Sequence, residues 1–188
     1  MNRSVVALSV LALLSAGPAA ACSKNSAPTA ESASSTAPAA SSAPQTAAAA
    51  KPKGHTGDSL TLTRADGSTI TVTLEQIISP ATVTGGGGDP TKTYLATKLK
   101  ITDPGTAAID GDVNINVSVV GSDDQSYTAD LNDVSECTNF ESGAFHLSPG
   151  ESATGCVVFA LPHGVSPARV KYLPSAGFAD DFGEWVLS

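Results

Sequence analysis

The chain has 188 residues, enough for one ordinary domain with appendages and too few for a barrel enzyme with full loops. Charged residues make up 15% and aromatics 5%, and the formal net charge is -8, which excludes a nucleic-acid binder built on a basic, aromatic-studded face.

Residues 1–21 read as an export signal. Arg3 supplies the positive start, the run from Val5 to Leu14 is apolar apart from Ser9, and small residues follow up to Cys22. That run is too short for a membrane-spanning helix, which needs about 20 apolar residues. Ala19-Ala20-Ala21 before Cys22 meets the small-residue rule for signal cleavage. The same stretch resembles a bacterial lipobox, with Ala19 standing where that pattern usually carries Leu or a similar large aliphatic residue. The resemblance implies that Cys22 is diacylated and becomes the first residue of the mature chain, its lipid anchor to the membrane. The alternative is simple secretion with a free terminal thiol.

Residues 23–50 hold 11 Ala, 7 Ser, 3 Thr and 3 Pro. Such a segment buries too little apolar surface to offset its chain entropy, and its prolines interrupt every run that could become a helix. The composition predicts a disordered tether over residues 22–54, with a reach on the order of 30 Å as a flexible coil. A spacer has a purpose when its beginning is held, and two acyl chains hold stably where one does not.

From residue 55 to 188 the pattern changes to strands. Leu60 and Leu62 alternate with threonines, as do Ile70, Val72 and Leu74, while Leu95, Leu99 and Ile101 alternate with Lys98 and Lys100. Val113, Ile115, Val117 and Val119 predict a half-buried strand with Asn114, Asn116 and Ser118 on its solvent face. Cys156 to Leu161 has no polar residue, as expected of a strand covered on both faces and stopped at Pro162. Short strands follow at 169–173 and 184–187. Turn signals separate them: Asp66-Gly67, Asp103-Pro104-Gly105, Ser148-Pro149-Gly150 and Pro162 to Gly164. The fold class predicted is all-β, an immunoglobulin-like sandwich of two antiparallel sheets, with a small barrel as the alternative. Its core comprises Leu62, Ile70, Val72, Leu99, Ile115, Val117, Val157, Phe159 and Leu161.

The stretch Leu147-Ser148-Pro149-Gly150-Glu151, then Gly155-Cys156-Val157-Val158-Phe159 and Leu161-Pro162, and a closing Gly183-Glu184-Trp185 resemble a family of bacterial surface lipoproteins. Tyr94 to Ile101 also fits that family's strand before a turn. Those proteins carry a telokin-like, immunoglobulin-like domain of unknown function. The resemblance covers about residues 55–188, implies an exported sandwich, and brings no catalytic motif with it.

Cys137 and Cys156 are the best-supported chemical feature. In an exported chain whose Cys22 is acylated they are the two partners left, so a disulfide is expected; a redox pair or metal site lacks both C-x-x-C spacing and neighbouring histidines. Weaker features read as follows. Gly85 to Gly88 before Thr91-Lys92-Thr93 looks like a phosphate loop but lacks Gly directly before Lys and a following helix. Asp110, Asp112 and Asn114 start like a calcium loop whose twelfth-position Glu is instead Gly121. Asp123, Asp124, Asp130, Asp133 and Glu136 read as a charged rim, with a cation site or paired catalytic carboxylates as the sharper options. His55, His146 and His163 offer a hydrolase its base without any Gly-x-Ser-x-Gly elbow.

Six bases against 17 acids leave residues 55–188 at -11, so this part is repelled by polyanions and anionic lipid. The functional expectation is a monomeric, lipid-anchored binding module at the outer face of the cell membrane. It is non-enzymatic, with no cofactor, no metal and no nucleic-acid partner, and its partner is a protein or surface polymer. A calcium- or cation-binding domain is the first alternative and a hydrolase the remote one. Phe178, Phe182 and Trp185 are candidates for an exposed recognition patch, although Trp185 before Val186 and Leu187 reads better as a core anchor.

Overall fold

A computed structural model of the chain describes residues 51–178 and 180–187. The expected signal peptide, Cys22 and residues 23–50 of the expected tether lie outside the described residues; at the far end of the segment expected to be tether, residues 22–54, Lys53–Gly54 instead form β1, with Gly54 buried. In chain order the elements are β1 (Lys53–Gly54), β2 (Ser59–Thr63), β3 (Thr69–Ile78), β4 (Lys92–Thr102), β5 (Ile109–Asp112), α1 (Val113–Asn116), β6 (Val117–Gly121), β7 (Ser126–Thr128), β8 (Ala144–Leu147), β9 (Ser152–Pro162), β10 (Pro167–Tyr172) and β11 (Gly183–Val186).

The threonine-aliphatic alternation builds one sheet, ordered β2-β3-β4-β9 and antiparallel throughout. Its partner sheet runs β1-β11-β10-β6-β7, antiparallel except where β1 lies parallel to β11, and β5 pairs separately with β8. The strands thus divide into separate sheets instead of closing into a barrel. Leu62, Ile70, Val72 and Leu99 from one sheet meet Val119, Val170, Tyr172 and Trp185 from the other in a single core. Burying each large apolar side chain contributes about 1.5–3 kcal/mol against the chain entropy lost. Trp185 is fully buried, and its Nε1 donates to the Asp58 carbonyl at 2.9 Å. It is an anchor of the core and no part of an exposed patch.

The apolar run in β9 has a specific cause. Val157, Phe159 and Leu161 enter the main core, while Cys156 and Val158 face the other way into a second cluster with Tyr94, Ala96 and Val134. That cluster is roofed by two loops, which pair through Val83 and Val134. The second loop also covers the outer edge of β9: Asp130 N–H donates to the Val158 carbonyl at 2.7 Å, and Cys156 N–H to the Thr138 carbonyl at 2.9 Å. Cys137 and Cys156 are disulfide-bonded, with Cα atoms 6.2 Å apart, which fastens the loop along that edge. An uncovered strand edge would offer its backbone to other chains.

Gly155 shows how closely the loop packs. A Cβ placed there would lie 2.7 Å from the buried Phe140 ring. Gly155→Ala is therefore expected to overpack the site and to cost about 1–3 kcal/mol, read as a lowered midpoint of thermal unfolding. An unchanged midpoint would show that Phe140 is free to move aside.

One expected strand is interrupted, and one expected core residue is not in the core. Asp112 accepts the Asn114 N–H at 2.8 Å and caps a single helical turn over Val113–Asn116. In a helix, residues two apart point about 200° away from each other, whereas in a strand they share a face. Val113 is therefore buried while Ile115, predicted to be core, is 65% exposed. Strand geometry resumes at Val117, which is buried with Val119.

Candidate binding cleft

Among the described residues, several concave surfaces lie around α1. Across from it, the turn Pro174–Gly177 holds Ser175 and Ala176 at φ 58° and 52°, left-handed conformations that side chains other than Gly rarely adopt. Such residues cost of order 1–3 kcal/mol each and persist where neighbours fix them. Here Ala65 N–H donates to Ser175 Oγ at 3.0 Å, and Ala176 N–H to Asn116 Oδ1 at 2.8 Å. Asn116 is itself buried and its Nδ2 donates to the Tyr172 hydroxyl at 3.4 Å. Burial pushes the pKa of that hydroxyl up to about 12, so Tyr172 stays neutral under Asn116. The polar groups behind the turn thus hold α1 and the turn at a fixed separation.

Between them opens a mostly apolar cleft of about 530 Å³, whose apolar lining is Ile115, Val117, Ala129, Leu131, Leu173 and Ala176, with Asn114, Asn116, Ser118 and Thr128 completing it. Leu131, 86% exposed, lines it together with Ile115. A neighbouring cleft of about 400 Å³ shares Asn114 and Leu131 and adds Asp130 and Asp133. A smaller crevice of about 110 Å³ shares Ile115, Asn116 and Ala176 with the first cleft and adds Arg64, Asp112 and Tyr172.

Of the predicted site residues, Asp130 and Asp133 share the second cleft and Asp110 meets His146, while the others are engaged separately. Asp112 caps α1, and Asp110 Oδ1 meets His146 Nδ1 at 2.5 Å across the β5–β8 pair. Asp123 accepts from the Tyr127 hydroxyl at 2.6 Å, Asp124 pairs with Arg169 at 3.1 Å, and Glu136 accepts the Thr82 N–H. Among the described residues no group of three or more His, Cys, Asp or Glu side chains is placed to hold a metal. His163 Nε2 donates to the Pro90 carbonyl and its Nδ1 meets Thr93 Oγ1, while His55 reaches the Val186 carbonyl. The glycine-rich segment leads into β4, a strand, where a phosphate loop needs a helix. Phe178 is 88% exposed, whereas Phe182 is half-buried, with the Lys51 and Lys171 ammonium groups 5.6 and 5.7 Å from its ring centre.

His146 alone among the histidines pairs with a carboxylate, and Ser142 lines the same depression. The hydrogen bond and charge of Asp110 raise its pKa above the ordinary 6.5. The pair's contribution to stability is present below that ordinary value and is lost as pH rises through the raised one. The His146 ring protons are expected to titrate above the ordinary range by NMR, and Asp110→Asn to bring the midpoint back down. A midpoint unmoved by Asp110→Asn would mean that the contact does not persist in solution. Both side chains are well exposed, so the effect on overall stability is small.

Sequence reasoning missed the two residues that define the cleft. Strand alternation places Ile115 in the core, whereas it is 65% exposed. Leu131, a lone aliphatic between Asp130 and Asn132, carried the one available signal: an apolar side chain in a polar loop with no period to place it inside.

Known proteins resemble the chain in three dimensions. No family model matches the sequence, and no curated protein matches it. A secreted protein of Mycobacterium tuberculosis, MPT63, superposes with a TM-score of 0.56 at 18% identity, covering 74% of this chain and 99% of that one. The yjhA protein of Bacillus subtilis gives 0.50 at 15% identity over 72% of this chain and 99% of its own. A further Bacillus subtilis protein, ycdA, named as a candidate lipoprotein, gives 0.50 at 13% identity over 70% of this chain and 38% of its own. What they share with this chain is the fold. At these identities the β-sandwich is common property, and the side chains around α1 are read on their own terms.

Proposed function

We propose that the chain is an exported binding module, anchored by a lipid on Cys22 at the outer face of the cell membrane, monomeric and without catalytic activity. The export signal, the lipobox resemblance and the Ala/Ser/Pro/Thr tether support the location, and two of the structural neighbours are by name a secreted protein and a candidate lipoprotein. The observation that carries the binding role is the pair of exposed aliphatic side chains, Ile115 and Leu131, beside an apolar cleft of about 530 Å³. Isolated surface aliphatics are ordinary, but grouped at a concave site they mark a place where a partner excludes water. The partner is a protein or surface polymer.

The test is a photo-cross-linking residue placed in the full-length chain in intact cells, at Ile115 in one strain and at Thr61 on the outer face of β2 in another. Adducts from Ile115 and none from Thr61 are expected. Equal labelling at both positions, or none at either, contradicts the reading.

A further inference from the structure

We infer that the cleft between Ile115 and Leu131 receives a cationic amphipathic segment of a partner protein, its apolar side chains in the cleft and its Lys or Arg side chains over Asp130 and Asp133. The inference rests on the binding-module reading above and adds the chemistry of the occupant. The cleft's volume lies within the range of about 300–1,000 Å³ usual for sites that bind compact groups. Its apolar contribution comes from side chains on four separate elements, α1, the start of β6, the loop after β7 and the segment after β10, so the surface is assembled by the fold and is not one exposed strand.

Charge selects the occupant. Asp130 and Asp133 line the adjoining cleft, which shares Leu131 and Asn114 with the first. Neither cleft is lined by a Lys or Arg. Among the described residues neither Asp130 nor Asp133 forms a salt bridge: Asp130 accepts only from Asn132, and Asp133 Oδ1 from Asn139 Nδ2 at 3.0 Å. The carboxylates are thus oriented by amides and left unneutralised beside an apolar floor. A second copy of this domain, at -11, would bring like charge against them, and an anionic lipid surface or nucleic acid would do the same. A segment with aliphatic or aromatic side chains on one side and bases on the other satisfies both halves of the site.

The test uses the mature chain with Cys22→Ser, so that no lipid competes, and two synthetic fourteen-residue amphipathic peptides, one of Leu and Lys, the other of Leu and Glu in the same pattern. The Leu/Lys peptide is expected to bind at least about tenfold more tightly than its Leu/Glu twin. Its affinity falls as salt is raised. Ile115→Ser/Leu131→Ser, at exposed positions that leave the melting temperature in place, lowers the affinity about tenfold or more, and Asp130→Asn/Asp133→Asn removes most of the salt dependence. Equal binding by the Ile115→Ser/Leu131→Ser variant would reduce the effect to general attraction between opposite charges and overturn the inference. So would self-association in sedimentation equilibrium that this variant abolishes, or flotation with phosphatidylglycerol vesicles. If the Leu/Lys peptide fails to bind while Ile115 still cross-links in cells, the cationic partner is wrong and the binding-module reading stands.

Discussion

Trp185→Ala is expected to lower the midpoint of thermal unfolding by roughly 10–25 °C. The side chain is fully buried between the sheets, and truncating a buried Trp costs about 3–5 kcal/mol, each of which moves the midpoint by several degrees in a domain of this size. Total stabilities are only about 5–15 kcal/mol, so this one change removes a large share. Trp185→Phe separates the two roles of the residue. It keeps most of the apolar volume, loses the Nε1 donor to Asp58 and costs about 1–2 kcal/mol. If Trp185→Ala melted like the parent protein, Trp185 would not be where the two sheets meet.

The second large effect concerns the disulfide. Cys137→Ala/Cys156→Ala is expected to cost about 3 kcal/mol through the entropy regained by the unfolded chain. The loss is also local. The loop that the bond fastens supplies the backbone partners of Val158 and Cys156, so amide exchange at Cys156 and in the loop at Asp130 and Phe140 should accelerate more than exchange in β3 or β10. Reducing agent added to the parent protein reproduces both changes. A double variant with unchanged stability and unchanged exchange would show that the loop is held by the Val83–Val134 pairing and the second apolar cluster alone.

The residues whose environment repeats along the chain could be placed from the sequence. β2 and β3 alternate strictly, and Leu60, Leu62, Ile70 and Val72 sit inside because a strand gives every second side chain the same face. The unbroken apolar run of β9 was readable as doubly covered, although the cover over its outer face comes from loops whose sequences carry no period. Where one local hydrogen bond outweighs periodicity, pattern reading fails. Asp112 turns the chain helical at Val113, and Ile115 leaves the core for the cleft. β8 went unread for another reason: Ala144–Leu147 is too short for alternation to stand out, and its pairing with β5 is a non-local event. The cleft was less readable still, since it depends on Leu131 and on a left-handed turn at Ser175 and Ala176 that Asn116 fixes from a distance in sequence.

The proposed role requires a folded β-sandwich carried outside the membrane on a lipid-bearing tether. The most direct measurement is the intact mass of the protein extracted from its native membranes. The expected mass is that of a chain beginning at Cys22, increased by a diacylglyceryl group and lowered by the two hydrogen atoms lost in joining Cys137 to Cys156. An unprocessed chain beginning at Met1, or an unacylated chain recovered from the medium, would contradict it.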